Sequence, residues 1–161
     1  QYIQQFQELF THKEITKTYY AIVRGFSPDN GIIDSPVKND DTGIYKEALT
    51  HYQSISNIEL AIPVVPYDQS RYSLIQLSPH TGRMHQLRKH MSKINHPIVG
   101  DYKYGDRFHN RMYETEFDCI YMFLHAYRLE FTHPISKKKM DLKADFPNDW
   151  KKLFTEFNWS I

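Results

Sequence analysis

Apolar and polar positions fall into short blocks along the chain, and most blocks have the two-residue period of strands. The segment Ile15 to Arg24, ITKTYYAIVR, is rich in β-branched and aromatic residues and places Lys17, Tyr19, Ala21 and Val23 on one face. Gly25 and the cluster Ser27 to Gly31 end it as a turn. Further strands are predicted at Gly31 to Asp34, Ala48 to Ile55 and Arg71 to Leu77, the last running straight into the turn SPHTG. From Met84 to Ile94 the period changes. At about 100° per residue, Met84, Leu87, Met91 and Ile94 share an arc of roughly 80° and predict a helix with that stripe against a core. His85, Arg88 and Ser92 flank the stripe, and Gln86, Lys89 and Lys93 are expected to point away.

Beyond the helix, Asn95-His96-Pro97 breaks the pattern, and Gly100 to Arg111 reads as a long polar loop. Strands follow at Phe123 to Thr132 and Lys139 to Phe146. A last helix is predicted from Asn148, just after Pro147, with Trp150, Leu153, Phe154 and Phe157 at helical spacing. Short turns between neighbouring strands predict an α+β fold with a mixed, mostly antiparallel sheet and flanking helices. A length of 161 residues suits one core, so residues 1–161 are expected to form a single domain.

Composition narrows the class. No apolar run approaches the roughly 20 residues that cross a bilayer, and the opening QYIQQFQELF has no basic, then apolar, signal pattern, so a soluble chain without membrane attachment is expected. The single cysteine, Cys119, suits a reducing cytoplasm and reads as a small buried residue. Net charge is only +1, yet Arg71 to Arg111 holds eight basic residues against two acidic ones and five of the nine histidines. Interleaved with Tyr72, Tyr102, Tyr104 and Phe108, this suits a nucleic-acid surface; a solvated face balanced by acidic neighbours in space is the alternative.

The densest chemistry lies in the order strand, turn, helix, loop: RYSLIQL, SPHTG, RMHQLRKHM, NHPIVGDYKYGD. Gly82 allows a tight turn, and Arg83 beside helix-terminal amides suits a phosphate, although a plain surface arginine fits as well. His85 and Arg88, three apart, share one side of the helix, where Arg88 can pair with a carboxylate across a cleft or form a structural ion pair. His80, His85, His90 and His96 raise the question of zinc. Steps of five place His85 and His90 about 140° apart on a helix, unlike one-face ligand spacing, so no metal is expected; a metal-dependent hydrolase is the weakest reading.

TGRMHQLRKH followed by HPIVGDYKYGD resembles the third motif of the RluA family of pseudouridine synthases, and Lys17-Thr18-Tyr19 resembles that family's Lys-x-Tyr motif, in the correct order. The resemblance runs from about Ile15 to Pro147. GDRFHNR, RYSLIQL and FLHAYRLEFTHP look most like the branch of the family that acts on tRNA. It implies the synthase catalytic-domain fold, of which this chain would be the C-terminal part, and isomerisation of uridine with no metal or other cofactor. Tyr19 would contact the flipped uracil and serve as a late base. Arg88 would pair with the catalytic aspartate and Leu87 would line the uracil pocket. Arg83, His85, Gln86, Lys89 and Arg107 would make up the RNA-binding set, with Lys93, Lys103 and Arg111 extending the phosphate footprint.

The family's catalytic aspartate stands in a His-Arg-Leu-Asp or related motif upstream of the Lys-x-Tyr strand, and no such segment lies in this chain. Asp101 and Asp106 belong to a loop the family carries in addition, and Asp34 suits a turn cap. The chain by itself is therefore expected to be inactive. Expected partners are RNA, above all tRNA, with a monomer as the neutral default. A synthase acting on ribosomal RNA, or a non-catalytic RNA-binding module of the same fold, are the other readings.

Overall fold

A computed structural model describes residues 2–11 and 14–161. Its elements, in chain order, are α1 (Tyr2–Thr11), β1 (Thr16–Arg24), β2 (Asn30–Asp34), β3 (Val37–Lys38), β4 (Tyr45–Lys46), β5 (Leu49–Leu60), β6 (Ser70–Pro79), α2 (Gln86–Lys93), α3 (Arg107–Phe117), β7 (Leu124–Thr132), β8 (Lys139–Lys143) and α4 (Asn148–Glu156). Six strands form one sheet in the order β2-β5-β6-β1-β7-β8, and every neighbouring pair is antiparallel. The remaining two, β3 and β4, make a small hairpin. Among the described residues no helix is long and apolar enough to cross a membrane.

Strand β1 sits near the middle of the sheet, and its stretch from Tyr20 to Val23 is buried on both faces, with Ala21, Ile22 and Val23 fully inaccessible. Ala21 and Val23 join Ile75, Leu77, Leu87, Met91 and Ile98 beneath α2. Tyr20 and Ile22 point the other way, into an aromatic core with Tyr72, Leu74, Tyr113, Phe123, Trp150 and Leu153, covered by α3 and α4. Each such side chain contributes about 1.5–3 kcal/mol on burial, which is why the strand with two apolar faces takes the centre. Trp150 and Leu153 of α4 are buried, as their helical spacing predicts.

Three sequence expectations are corrected. The segment from Gly100 to Arg111 is not all loop: α3 begins at Arg107 because the Asp106 carboxylate accepts the backbone N–H groups of Phe108 and His109. The helix's buried apolar residues, Met112 and Tyr113, lie beyond the polar stretch, and Phe108 within it is exposed, so no core-facing period shows there. Met84 does not face the core; it is 37% exposed. His85, the N-cap of α2, is in the left-handed region (φ 54), so the helical period starts only at Gln86 and cannot be run back to Met84. Gln86 does not point away; it is buried and bonded to β5.

Candidate active site

Lys17 and Tyr19 are two apart on β1 and share the face that carries Ala21 and Val23. Helix α2 covers that face only in part: Leu87, 7% exposed, packs in the same cluster as Tyr19. Toward β7 and β8 the face is open. A cleft of about 400 Å³ is lined there by Phe10, Lys17, Tyr19, Leu129 and Leu142 among others, with Arg128 and Lys143 also in its wall. A neighbouring cleft of about 380 Å³ lies between Ile15 and Lys17 on one side and Thr81, Gly82 and Arg83 on the other. Phe10 and Lys17 belong to both.

The turn that carries Arg83 is held from within. Thr81 Oγ1 donates to Gln86 Oε1 at 2.6 Å and accepts from Leu49 N at 3.0 Å. Gln86 Nε2 donates to Leu49 O and Thr50 Oγ1, both at 3.0 Å, and Arg83 N donates to Gln86 Oε1 at 3.1 Å. Gln86, placed by the sequence in the RNA-facing set, is thus a buried tie between the turn, α2 and β5. The wheel could not show that β5 covers its side of the helix. One turn on, His90 Nδ1 lies 2.8 Å from Thr50 Oγ1 and Nε2 lies 2.8 Å from Ser35 O; burial lowers its pKa. Arg83 Nε donates to Glu47 O at 2.8 Å, and the residue lines the second cleft.

Arg88 heads a second group. Its Nε and Nη2 donate in parallel to Asp101 Oδ2 and Oδ1, both at 2.8 Å, and its guanidinium lies over the Tyr104 ring. The Asp101 side chain is 1% exposed and also accepts from the backbone N–H groups of Lys103 and Tyr104. Burial works to raise the Asp101 pKa, but Arg88 and these amides outweigh it and hold the carboxyl below its ordinary value. The arginine pKa is raised in turn, first by the bond to Asp101.

Tyr104 gathers the other cations. Lys89 and Lys103 stand over its ring, its hydroxyl donates to Asp40, and His85 Nδ1 lies 3.0 Å from that hydroxyl. Asp40, between β3 and β4, takes Lys89 at 2.8 Å and Lys103 at 2.6 Å, which hold its carboxyl well below the usual range. Lys89 is therefore covered by the hairpin rather than pointing free; Lys93 donates to Ser35 Oγ. The His85 pKa is lowered, first by desolvation and then by Arg88, Lys103 and Lys89. Arg107 lies apart at the start of α3, over the Phe108 ring.

The structure thus brings Tyr19 and Arg83 to adjoining clefts and places Leu87 beneath Tyr19. Arg88, His85 and Lys89 meet around Tyr104 instead. Sequence reasoning missed Asp40 and counted Tyr104 only among the aromatics of a nucleic-acid surface; its place among these cations needs partners from β3–β4 and α2.

Residues 1–93 match the family model described as RNA pseudouridylate synthase. The chain is 39% identical over 160 residues to tRNA pseudouridine synthase C of Pectobacterium carotovorum subsp. carotovorum, covering 93% of this chain and 43% of that protein. It is 40% identical to tRNA pseudouridine synthase C of Pasteurella multocida (strain Pm70), covering 94% of this chain and 67% of the relative. Among solved structures, Human RNA Pseudouridylate Synthase Domain Containing 4 superposes with a TM-score of 0.74 at 25% identity, over 96% of this chain and 67% of that one. The chain spans between 43% and 67% of the length of these proteins. With more than half of its residues matched by the family model and the same fold in a family member, the chain belongs to the RNA pseudouridylate synthase family.

Proposed function

We propose that the protein carrying this chain isomerises a uridine in tRNA to pseudouridine. The observation that carries this reading is Tyr19 opening onto a largely apolar cleft directly beside the arginine-bearing turn. The reaction breaks the bond from uracil N1 to the ribose, turns the base, and joins C5 to the same ribose carbon. The C5 proton must leave, and a tyrosine at the cleft is placed for that late step. The base first leaves its stack, at a cost of a few kcal/mol that a closed apolar pocket and phosphate contacts offset.

In this reading the nucleophile is a carboxylate from a part of the protein outside this chain. Asp101 occupies Nε and Nη2 of Arg88 and fixes the guanidinium plane. Arg88 then keeps the incoming carboxylate ionised. Arg83 and His85 contact RNA near the target, and Arg107 extends the contact. The choice of tRNA rests on the activity named for the curated relatives.

The test is tritium release from a tRNA transcript labelled at uridine C5, incubated with the full-length protein. Release is expected. Tyr19→Phe should slow it about 10²–10⁴-fold, the usual contribution of a general base, with little change in tRNA affinity. Tight tRNA binding without any release would replace this reading with a non-catalytic RNA-binding module.

A further inference from the structure

Lys17 has no role in the chemistry above, yet among the described residues it is the one basic residue shared by both clefts. Its side chain is half-buried, and its Nζ lies 3.5 Å from where a Cβ on Gly82 would stand, so the amine reaches across to the turn before α2. Among the described residues it makes no hydrogen bond and no ion pair, whereas Lys89, Lys93 and Lys103 are all engaged. Burial without a counter-ion lowers its pKa. A cation held this way is poorly solvated and gains most from an anion brought to it.

The surroundings select the kind of anion. Among the described residues neither cleft has an acidic lining residue: Arg83 joins Lys17 in one, and in the other Lys143 stands beside Arg128, which is itself paired with Asp141 and Glu130. Lys17 and Tyr19 are roughly 7 Å apart along the strand, the scale on which a nucleotide's phosphate and base are separated. Gly82 presents no side chain between the amine and the turn. A phosphodiester is anionic at every working pH and can accept from two cations at once.

We infer that the cleft between Lys17 and the Thr81–Arg83 turn is a phosphodiester subsite, in which Lys17 and Arg83 hold the RNA backbone next to the nucleotide whose base enters the Tyr19 cleft. This rests on the function proposed above. The subsite sets the register of the strand: the phosphate is fixed first and the base two strand residues away is positioned by it. Lys17 is a positioning residue, and its effect is exerted on binding.

The experiment uses the full-length protein and a tRNA transcript, with the dissociation constant measured over a salt series. Lys17→Met should weaken binding roughly tenfold, in keeping with loss of a charged hydrogen bond. It should also reduce the slope of log K against log salt by about one contact, and Lys17→Arg should restore the slope. An unchanged slope in Lys17→Met, with turnover alone impaired, would mean that the amine serves a protein carboxylate and would overturn the subsite. If Lys17→Met does not fold, acylation of Lys17 in the wild type decides: protection by tRNA supports the subsite, and equal labelling with and without tRNA refutes it. Failure of the functional reading looks different, as a wild type that binds tRNA and releases no tritium; the salt slope remains measurable in that case.

Discussion

At the scale of single residues, the pairing of Arg88 with Asp101 has the largest consequence. A carboxylate with a side chain 1% exposed would be costly alone; two parallel bonds from Arg88 and two backbone amides keep it ionised. Asp101→Ala leaves the guanidinium, 18% exposed, without its partner and should destabilise the full-length protein by about 3–5 kcal/mol in chemical denaturation. The pH dependence follows from the lowered carboxyl pKa. Because the folded value lies below the unfolded one, this stabilisation is complete above the ordinary carboxyl value of 3.8 and is lost as pH falls through the lower folded value. The wild type should therefore lose stability more steeply than Asp101→Ala on acidification below 3.8, in melts across that range. Parallel acid profiles would remove the pair as the cause. The sequence showed Arg88 beside a cleft and in need of a carboxylate; it could not say that Asp101, 13 positions on, is the carboxylate within this chain.

At the scale of elements, the segment between α2 and α3 is shaped by backbone contacts that no hydrophobic pattern reveals. Gly100 has φ +81, and a Cβ there would stand 2.0 Å from Tyr121 O. Gly100→Ala should cost more than the about 1–3 kcal/mol of ordinary overpacking, because the clashing atom is main chain. Gly43, in the hairpin turn, has a similar φ of +71 but only Lys38 Cε nearby, at 3.9 Å. Gly43→Ala should cost only the backbone strain, about 1 kcal/mol. Urea midpoints of the two variants measure the difference; equal losses would show that strain and not contact dominates. The start of α2 teaches a related lesson. The 3.6-residue period correctly identified Leu87 and Met91 as core, but the left-handed His85 broke it before Met84. Local periodicity describes a helix only once its first residue is known, and here that residue is set by Gln86 reaching β5.

At the scale of the molecule, β1 and β6 form the inner pair of the sheet and separate two cores, one under α2 and one under α3 and α4. Amides of these two strands should exchange hydrogen only on global unfolding, whereas the β3–β4 hairpin, attached through Asp40 and short strands, should exchange by local opening. Hydrogen exchange of the full-length protein measures this, and a hairpin as protected as β1 would contradict it. The alternation in ITKTYYAIVR, the strands around it, the final helix and the ordered motifs TKTYY and TGRMHQLRKH are local properties, written in neighbouring residues. They sufficed for the fold class and the family. The partner of Arg88, the burial of Gln86, the hairpin over Lys89 and the acid-free cleft around Lys17 were decided only by the tertiary structure. Each depends on distant segments being brought together, from 13 positions for Arg88 and Asp101 to 51 for Lys89 and Lys38, and further still for Lys17 and Gly82. A sequence shows which side chains can carry charge or donate a bond, but packing determines which of them find a partner and which are left facing a cleft.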